Sequence, residues 1–196
     1  MTVIGLTGSF GTGKTFVASI FKSFGAVVID ADMIAHGAIK KGKPAYKKII
    51  DVFGPGILAS GREIDRKRLA ELVFGNKRSL AKLNRIVHPE VIRVIKAKIK
   101  AADKDAVVVI DAPLLIEARL LNIADKLVVV KSSKKRQIER CLKKFRIKRE
   151  EVLKRIRSQI SMKEKLKMAD FVVRNDRTRN LTRSRVRKVW EEIVWR

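Results

Sequence analysis

Residues 8–15 read Gly8-Ser9-Phe10-Gly11-Thr12-Gly13-Lys14-Thr15 and decide the fold of this 196-residue chain. The stretch matches the pattern G-x-x-x-x-G-K-T and lies between an apolar run and a stretch of helical periodicity. Between a strand and a helix, such a loop curls its amide N–H groups around a phosphate chain, above the positive end of the helix. The Lys14 ammonium would reach the β- and γ-phosphates, and the Thr15 hydroxyl would bind Mg²⁺. The stretch therefore predicts a nucleotide-phosphate site.

Short apolar runs alternate with helical patterns along the chain, which is typical of a parallel sheet covered on both faces. The helix after residues 8–15 has an apolar face of period 3.6, and Gly25 suits its C-terminal cap. A chain of 196 residues buries one good core, so we expect one α/β domain with insertions. The predicted strands are 3–7, 26–30, 106–111, 126–130 and 170–174.

About seventy-five residues with almost no strand character separate the second and third predicted strands. This length exceeds an ordinary crossover, so the segment predicts a helical lobe. Within it, Pro44 starts a helix through Phe53, and Asp65 caps a helix that ends near Gly75. A further helix is predicted to end at His88, with Pro89 in the first turn of the next helix.

A second helical segment, 133–169, separates the last two predicted strands and is heavily basic. Its position between strands and its charge suit a mobile lid that grips anions. The whole chain carries 46 Lys and Arg against 20 Asp and Glu, a formal charge of +26. This excess favours polyanionic ligands without selecting one. A solvated surface and a nucleic-acid patch both stay open, although one Tyr and no interleaved aromatic residues argue against base stacking.

Cysteine content and hydropathy indicate the compartment. A single cysteine, Cys141, excludes an intramolecular disulfide and suits a reducing environment. The N-terminus has no basic-then-apolar leader, and no apolar run approaches the roughly 18 residues of a membrane span. We therefore expect a soluble, cytoplasmic protein that does not engage a membrane.

Acidic residues lie at the ends of two predicted strands, where open α/β sheets place their ligands. Asp30 and Asp32 are two apart, and in an extended segment both side chains would face the phosphate loop. One could accept a hydroxyl proton or orient an acceptor, and one could cap the following helix. Asp111 follows four apolar residues and resembles a Walker B segment, which holds Mg²⁺ directly or through water.

Basic residues and histidines give a weaker signal. Arg140 belongs to a basic helix, and arginines that close over a transferring phosphoryl group stabilise its charge. Composition alone does not distinguish it from its basic neighbours. His88 is either a substrate contact or structural. Neither His36 nor His88 has a partner at metal-ligand spacing, so we expect no structural metal.

A set of short motifs extends over nearly the whole chain. These motifs are residues 8–15, Val28-Ile29-Asp30-Ala31-Asp32, Val87-His88-Pro89, Asp111-Ala112-Pro113-Leu114-Leu115-Ile116-Glu117, Gln137-Ile138-Glu139-Arg140, Arg155-Ile156-Arg157-Ser158-Gln159, Glu164-Lys165-Leu166, Ala169-Asp170 and Asn175. The phosphate loop alone would suit many unrelated enzymes, whereas the full set, in this order and spacing, is specific. In these motifs the chain resembles the dephospho-coenzyme A kinase family.

The resemblance implies transfer of the γ-phosphate of ATP, with Mg²⁺, to the 3′-hydroxyl of the adenosine ribose of dephospho-coenzyme A, the last step of coenzyme A synthesis. It implies a P-loop kinase core with five parallel strands in the order 2-3-1-4-5. That core would comprise residues 1–35, 104–132 and 168–196, with a helical acceptor-binding lobe at about 36–103 and a helical lid at about 133–167.

The resemblance also implies roles for individual residues. Asp32 would be the base or the acceptor-orienting carboxylate, and Arg140 the lid arginine, both catalytic together with Lys14. Thr15 and Asp111 would hold the metal, and His88, Leu115 and Glu117 would line or support the acceptor site. ATP would bind at Gly11, Thr12, Gly13, Lys14, Thr15 and Phe16, with Asn175 near the adenine.

Four positions depart from the family pattern. Phe16 lacks the second hydroxyl often found there, and Lys144 stands where a second arginine is common. Arg146 and Arg177 stand where the family often has glycine. These departures concern the edge of the phosphate loop, the lid and the adenine pocket.

Two other functions remain open from the sequence. The chain could be another small-molecule kinase, for instance one that acts on a nucleoside monophosphate, or a basic nucleotide-binding protein whose main partner is nucleic acid. On the favoured interpretation the partners are ATP and dephospho-coenzyme A, with nonspecific polyanion binding only. The protein would be a monomer or a homo-oligomer.

Overall fold

The fold contains one five-stranded parallel sheet in the described part of the chain. The computed structural model describes residues 1–74, 76–118 and 120–195. The sheet order is β2-β3-β1-β4-β5, which confirms the predicted order 2-3-1-4-5. The strands are β1 (Thr2–Gly8), β2 (Val27–Asp30), β3 (Val107–Asp111), β4 (Lys126–Lys131) and β5 (Phe171–Arg174).

The described residues form two compact units. The first comprises Met1–Asp30 and Ile99–Arg196, and the second Ala31–Lys98. The first unit contains the sheet with α1 (Lys14–Ser23), α6 (Lys134–Phe145), α7 (Arg149–Arg157), α8 (Met162–Met168) and α9 (Arg179–Val194). The second contains α2 (Ala31–Ala38), α3 (Pro44–Phe53), α4 (Arg66–Phe74) and most of α5 (Lys77–Lys100). None of the described helices has the length and apolar character needed to cross a membrane.

Strand register brings the carboxyl ends of β1, β2 and β3 together. β1 pairs with β3 so that Leu6 lies opposite Asp111, and β2 pairs with β3 so that Asp30 also lies opposite Asp111. The stretch 8–15 follows β1 at the same edge, between that strand and α1. The acidic strand ends and the glycine-rich loop therefore share one edge of the sheet, as expected for an open α/β fold.

The core of the first unit is built from strand and helix residues that are almost fully buried. Ile4 and Leu6 of β1 and Val109 of β3 pack in one cluster with Phe21 of α1 and Val186 of α9. Helix α1 ends in a hydrogen-bonded turn, in which the Ala26 N–H donates to the Phe21 carbonyl at 3.1 Å and Gly25 has φ +102°. The C-cap residue is Phe24, and Gly25 is the left-handed glycine that directly follows it in this capping turn.

The second unit has a smaller core, centred on Ile49, Ile57 and Leu69. Helix α3 begins at Pro44 and ends at Phe53, as predicted. Asp65 caps α4, since its Oδ1 accepts the backbone N–H groups of the two residues that follow Arg66, at 2.9 and 3.2 Å. Gly75, where this helix was expected to end, lies outside the described residues.

The predicted helix break at Pro89 is wrong. Helix α5 runs from Lys77 to Lys100 with Pro89 inside it. A proline in a helix interior loses one hydrogen bond and crowds the preceding turn, at a cost of about 3 kcal/mol. The helix continues because it has apolar residues packed on both sides of the proline: Leu83 and Val87 before it, and Val91 and Ile95 after it. Tertiary burial outweighs the local preference.

The basic segment 133–169 folds into three helices, α6, α7 and α8. Ser133 caps α6, and Ser161 caps α8 in a capping box with Glu164. Helix α6 ends at Phe145, and its C-cap residue Arg146 has a φ of +52°, in the left-handed region. A glycine at this position would adopt that φ without strain, which explains why glycine suits the end of this helix.

Candidate active site

The phosphate loop has the backbone geometry that its glycines permit. Gly11 and Gly13 have φ of +82° and +84°, in the left-handed region that favours glycine. Thr12 closes the turn, since its N–H and its hydroxyl donate to the Ser9 carbonyl at 3.1 and 2.8 Å. Helix α1 begins at Lys14, so its N-terminal amides follow directly. The loop combines the left-handed backbone of two glycines with a helix N-terminus, which is an anion-binding arrangement.

Two side chains from outside the phosphate loop hydrogen-bond to its backbone. The Arg140 guanidinium donates to the Thr12 carbonyl at 3.1 Å and to the Asn175 carbonyl at 2.8 Å. The Asn175 side-chain amide donates to the Thr12 carbonyl at 2.9 Å and accepts the Thr182 hydroxyl at 3.1 Å. A Cβ atom at Gly13 would collide with that Asn175 amide. Arg140 and Asn175 therefore fix the backbone between the two glycines.

Lys14 forms an ion pair with Asp111, the last residue of β3. Both side chains are nearly buried, with 13% and 7% of their surface exposed. Burial raises the pKa of the Asp111 carboxyl above its ordinary value, although the Lys14 ammonium opposes this shift and the neighbouring Asp30 adds to it. The predicted phosphate-binding lysine and the predicted metal-binding acid are thus in direct contact.

An open cavity of about 590 Å³ is lined by residues close in sequence to Arg140 and Asn175, the two side chains that hydrogen-bond to the phosphate loop. It is lined by Ser133, Arg136, Asp176, Arg177 and Thr178. The volume suits a small-molecule ligand, and two guanidinium groups at its wall suit an aromatic or anionic one.

A buried lysine joins the segment after β3 to helix α8. Lys165 has no exposed surface, and its ammonium donates to the Pro113 carbonyl at 2.8 Å and lies 3.5 Å from Glu117 Oε1. Burial lowers the pKa of Lys165, while Glu117 acts in the opposite direction. The same Glu117 oxygen accepts the backbone N–H of Ile160 at 2.9 Å. Glu117 and Lys165 therefore connect the segment after β3, at Pro113 and Glu117, with Ile160 and helix α8 through hydrogen bonds and an ion pair.

Three predicted acceptor residues lie in different environments. Leu115 is fully buried and contacts the space above Gly5, so it packs in the interior. His88 is half-buried in α5, where burial lowers its pKa and favours the neutral ring at pH 7. Glu117 is engaged with Lys165 and Ile160. Their roles at an acceptor site stay predictions.

The expected extended geometry of Asp30 and Asp32 is wrong. Asp30 is the last residue of β2, whereas Asp32 is already in the first turn of α2, which starts at Ala31. Residues two apart in a helix point in different directions, so the two carboxylates do not share one strand face. Asp32 is the one acidic residue in the first turn of α2, where its charge opposes the positive end of the helix dipole. Asp32 is exposed.

Sequence reasoning missed several of these contacts. Nothing in the periodicity marked Lys165 as buried, because lysine in a short basic helix normally faces solvent. Arg136 and Arg177 were not placed beside one cavity, since they are far apart along the chain. Within the described part of the chain, no cluster of three or more His, Cys, Asp or Glu side chains is placed to hold a metal ion.

A parallel sheet in the order 2-3-1-4-5, with a phosphate loop after its central strand and a lysine paired to a strand-end acid, defines a P-loop kinase. The family model for dephospho-CoA kinase matches residues 2–180. The chain belongs to the dephospho-CoA kinase family. It is an ATP-dependent kinase that phosphorylates dephospho-CoA in the last step of coenzyme A biosynthesis.

Similar proteins agree with this assignment. The chain is 38% identical over 198 residues to the dephospho-CoA kinase of Carboxydothermus hydrogenoformans, covering 100% of this chain and 96% of that protein. It is 44% identical over 178 residues to the dephospho-CoA kinase of Bacillus licheniformis, covering 88% and 87% of the two chains. The relationship implied by the motifs is thus confirmed.

Solved structures share the fold. TT1252 from Thermus thermophilus superposes with a TM-score of 0.87 at 30% identity, covering 98% of this chain and 97% of that one. Dephospho-CoA kinase from Campylobacter jejuni gives 0.73 at 30% identity, with the same coverage. Shikimate kinase from Acinetobacter baumannii, with a TM-score of 0.56 and 15% identity over 100% of this chain and 94% of that one, shares the fold alone.

Proposed function

We propose that this chain transfers the γ-phosphate of ATP to the 3′-hydroxyl of the ribose of dephospho-CoA and releases coenzyme A and ADP. ATP would bind at residues 11–16, and dephospho-CoA at the helical lobe, 36–103. The observation that carries the donor half is the closed phosphate loop, whose Lys14 is held at the strand edge by Asp111. The lid, 133–167, would cover the transferred group.

The donor site uses positive charge that is already in place. The loop amides and the start of α1 would bind the β- and γ-phosphates, and Lys14 would exchange its carboxylate partner for phosphate oxygens. Arg140, braced by two carbonyls, would present its remaining donors to the phosphates and stabilise charge during transfer. The cavity with Arg136 and Arg177 would receive the adenosine, beside Asn175.

The donor set at the strand edge fits Mg²⁺. Thr15 is exposed in the first turn of α1, and Asp111 ends β3, so a hydroxyl and a carboxylate oxygen are available at one edge. Hard oxygen donors of this kind suit Mg²⁺, which keeps several waters and binds substrate phosphates. The bound ion would neutralise charge on the β- and γ-phosphates. Asp111 would be freed for this role when Lys14 moves to the triphosphate.

The acceptor would be activated by Asp32. As the new bond from the ribose oxygen to the γ-phosphorus forms and the bond to the leaving oxygen of ADP breaks, the 3′-hydroxyl proton would pass to the Asp32 carboxylate. Asp32 is exposed in the first turn of α2. His88, Leu115 and Glu117 would line or support the acceptor site.

The location and partners follow from the same proposal. A kinase that consumes ATP and supplies coenzyme A would work in the cytoplasm, as a monomer or homo-oligomer. Its formal net charge of +26 would give nonspecific binding to polyanions, screened by salt. Tight, sequence-independent nucleic-acid binding at physiological salt in a filter-binding assay would contradict this view.

The deciding experiment is a steady-state assay with ATP, Mg²⁺ and a panel of acceptors: dephospho-CoA, adenosine, AMP and GMP. We expect dephospho-CoA to be phosphorylated with by far the highest kcat/KM, and the product to match 3′-phosphorylated coenzyme A by chromatography and ³¹P NMR. Lys14→Ala serves as the inactive control. Better use of AMP or GMP would overturn the proposal in favour of a nucleotide kinase.

A further inference from the structure

Phe10 belongs to the phosphate loop, yet its ring packs in the small core of helices α6 and α7. That core is formed by Ile138, Cys141 and Val152, and Phe10 lies against it. The Phe10 and Phe145 rings stack with their centroids 5.3 Å apart and their planes 22° apart. Phe145 is the last residue of α6. One aromatic residue of the loop therefore fills part of the core of a neighbouring helical pair.

Two more contacts converge on Phe10. The Arg155 guanidinium of α7 lies 5.2 Å from the centre of the Phe10 ring, and it also donates to Glu151 at 2.6 Å. The backbone N–H of Phe10 donates to the Gln159 side-chain oxygen at 2.9 Å. The end of α6, the last turn of α7 and the segment after α7 thus all contact the same loop residue.

These contacts bear on Arg140, the arginine that braces the loop. Arg140 lies on α6 and reaches the Thr12 carbonyl, whereas Phe145 lies five residues further along the same helix. Between them, Cys141 lies so close to the loop that a Cβ atom at Gly11 would come within 2.7 Å of its sulfur. Helix α6 is therefore fixed to the loop at three points, and the Phe10 stack anchors its C-terminal end.

We propose that Phe10 is a positioning residue for ATP: its ring fixes α6 and α7 on the phosphate loop before the nucleotide binds, so that Arg140 is already in place. This proposal rests on the proposed donor site. Pre-placed charge costs no rearrangement on binding, and a protein that is correctly arranged only part of the time binds its ligand more weakly by that fraction. In consequence, the α6 and α7 part of the lid is anchored on the phosphate loop before ATP binds.

The test compares Phe10→Ala with a matched control, Phe24→Ala. Phe24 is also a half-buried ring under guanidinium groups, with Arg183 and Arg187 at 5.5 and 5.7 Å, but it packs against α9 and Trp190. Each variant is measured by calorimetric titration with ATP alone, by kcat and KM, and by thermal unfolding. Hydrogen exchange of residues 134–157 is followed with and without ATP.

We expect Phe10→Ala to raise the Kd and KM for ATP roughly three- to tenfold, the range that loss of an aromatic pair implies, while kcat at saturating ATP changes little. Backbone hydrogen exchange in α6 and α7 should be faster in ATP-free Phe10→Ala than in the ATP-free wild type. It should slow again when ATP is added. Phe10→Leu, which keeps apolar volume, should recover most of the affinity. Phe24→Ala should lower Tm and leave the Kd for ATP unchanged.

The proposal is overturned if Phe10→Ala binds ATP as the wild type does and only loses thermal stability, as Phe24→Ala would. If Phe10→Ala fails to fold, Phe145→Ala removes the other ring of the stack instead. The same measurements of the Kd for ATP and of hydrogen exchange then test the proposal on that variant. Because these measurements need no acceptor, they are independent of the acceptor panel. A wild-type protein that binds ATP but does not phosphorylate dephospho-CoA would refute the proposed function. The role of Phe10 in ATP binding would still be decided by the measurements on Phe10→Ala.

Discussion

The ammonium of Lys14 and the carboxylate of Asp111 neutralise each other at the carboxyl edge of the sheet. Both groups are nearly buried, and a buried charge is stable only with a partner. A triphosphate at the loop would offer Lys14 a second anion, so nucleotide binding would exchange one ion pair for another. The exchange would leave the Asp111 carboxylate available to the metal at the moment when the metal arrives with the phosphates.

This exchange makes Lys14→Ala the most damaging single change that we predict. Without the ammonium, the loop loses its charge on the β- and γ-phosphates, and we expect kcat/KM for ATP to fall at least a hundredfold, the usual effect of removing a charge-stabilising group. Lys22→Ala, an exposed lysine on the same helix, is the control and should keep full activity. Steady-state kinetics with varied ATP checks both, and near-normal turnover in Lys14→Ala would contradict the donor site.

Asp32→Asn tests the proposed base. The amide keeps the size of the side chain but cannot take the hydroxyl proton, so kcat should fall by about a hundredfold or more while the Kd for ATP stays within about twofold. Asp51→Asn, an exposed acid on α3, is the matched control. Rapid-quench turnover measures kcat, and calorimetric titration measures the Kd for ATP. Full activity in Asp32→Asn would rule out this role.

The sheet and the phosphate loop could be predicted from the sequence because local signals and global fold agree there. The strands are near-continuous apolar runs, as sheets covered on both faces require, and Gly11 and Gly13 supply backbone angles that other residues resist. The order of the strands came from the family resemblance, since apolar runs carry no information about which strands are neighbours.

Elsewhere, tertiary packing produces a structure that differs from the one that the local sequence predicts. Pro89 predicts a helix end, but apolar residues on both sides of it hold α5 together as one helix. Asp32 was placed on an extended segment because the helix start at Ala31 has no strong signal of its own. The contacts of Arg140 with Thr12 and Asn175 join residues more than thirty apart in sequence. No periodicity could identify such a set.

Two glycines give a contrasting pair of substitutions. At Gly13, φ is +84° and a Cβ atom would collide with the Asn175 amide, so Gly13→Ala should distort the loop and abolish ATP binding. At Gly37, within α2, nothing lies within 4 Å of the added Cβ atom. Gly37→Ala should therefore stabilise the protein by about 0.5–1 kcal/mol through helix propensity. Calorimetric ATP titration and urea unfolding check the pair, and normal ATP affinity in Gly13→Ala would contradict the packed loop.

Lys165 gives a prediction about pH. Because burial lowers its pKa in the folded protein below the ordinary 10.5, the unfolded chain binds more protons than the folded one between those two values. Stability due to Lys165 therefore rises as pH rises through this window and is reduced below it. The free energy of unfolding of the wild type, minus that of Lys165→Met, should increase with pH, by at most about 1.4 kcal/mol per pH unit.

The difference between variants isolates this one group, because the other lysines titrate equally in both proteins and cancel. Lys163→Met, which removes an exposed lysine from the same helix α8, is the matched control for the loss of a lysine side chain. Urea unfolding at pH 7, 8, 9 and 10 supplies the four points. A difference for Lys165→Met that stays constant between pH 7 and pH 9, and begins to fall only as the pH approaches 10.5, would contradict this prediction. It would mean that the Glu117 carboxylate outweighs burial and raises the pKa of Lys165.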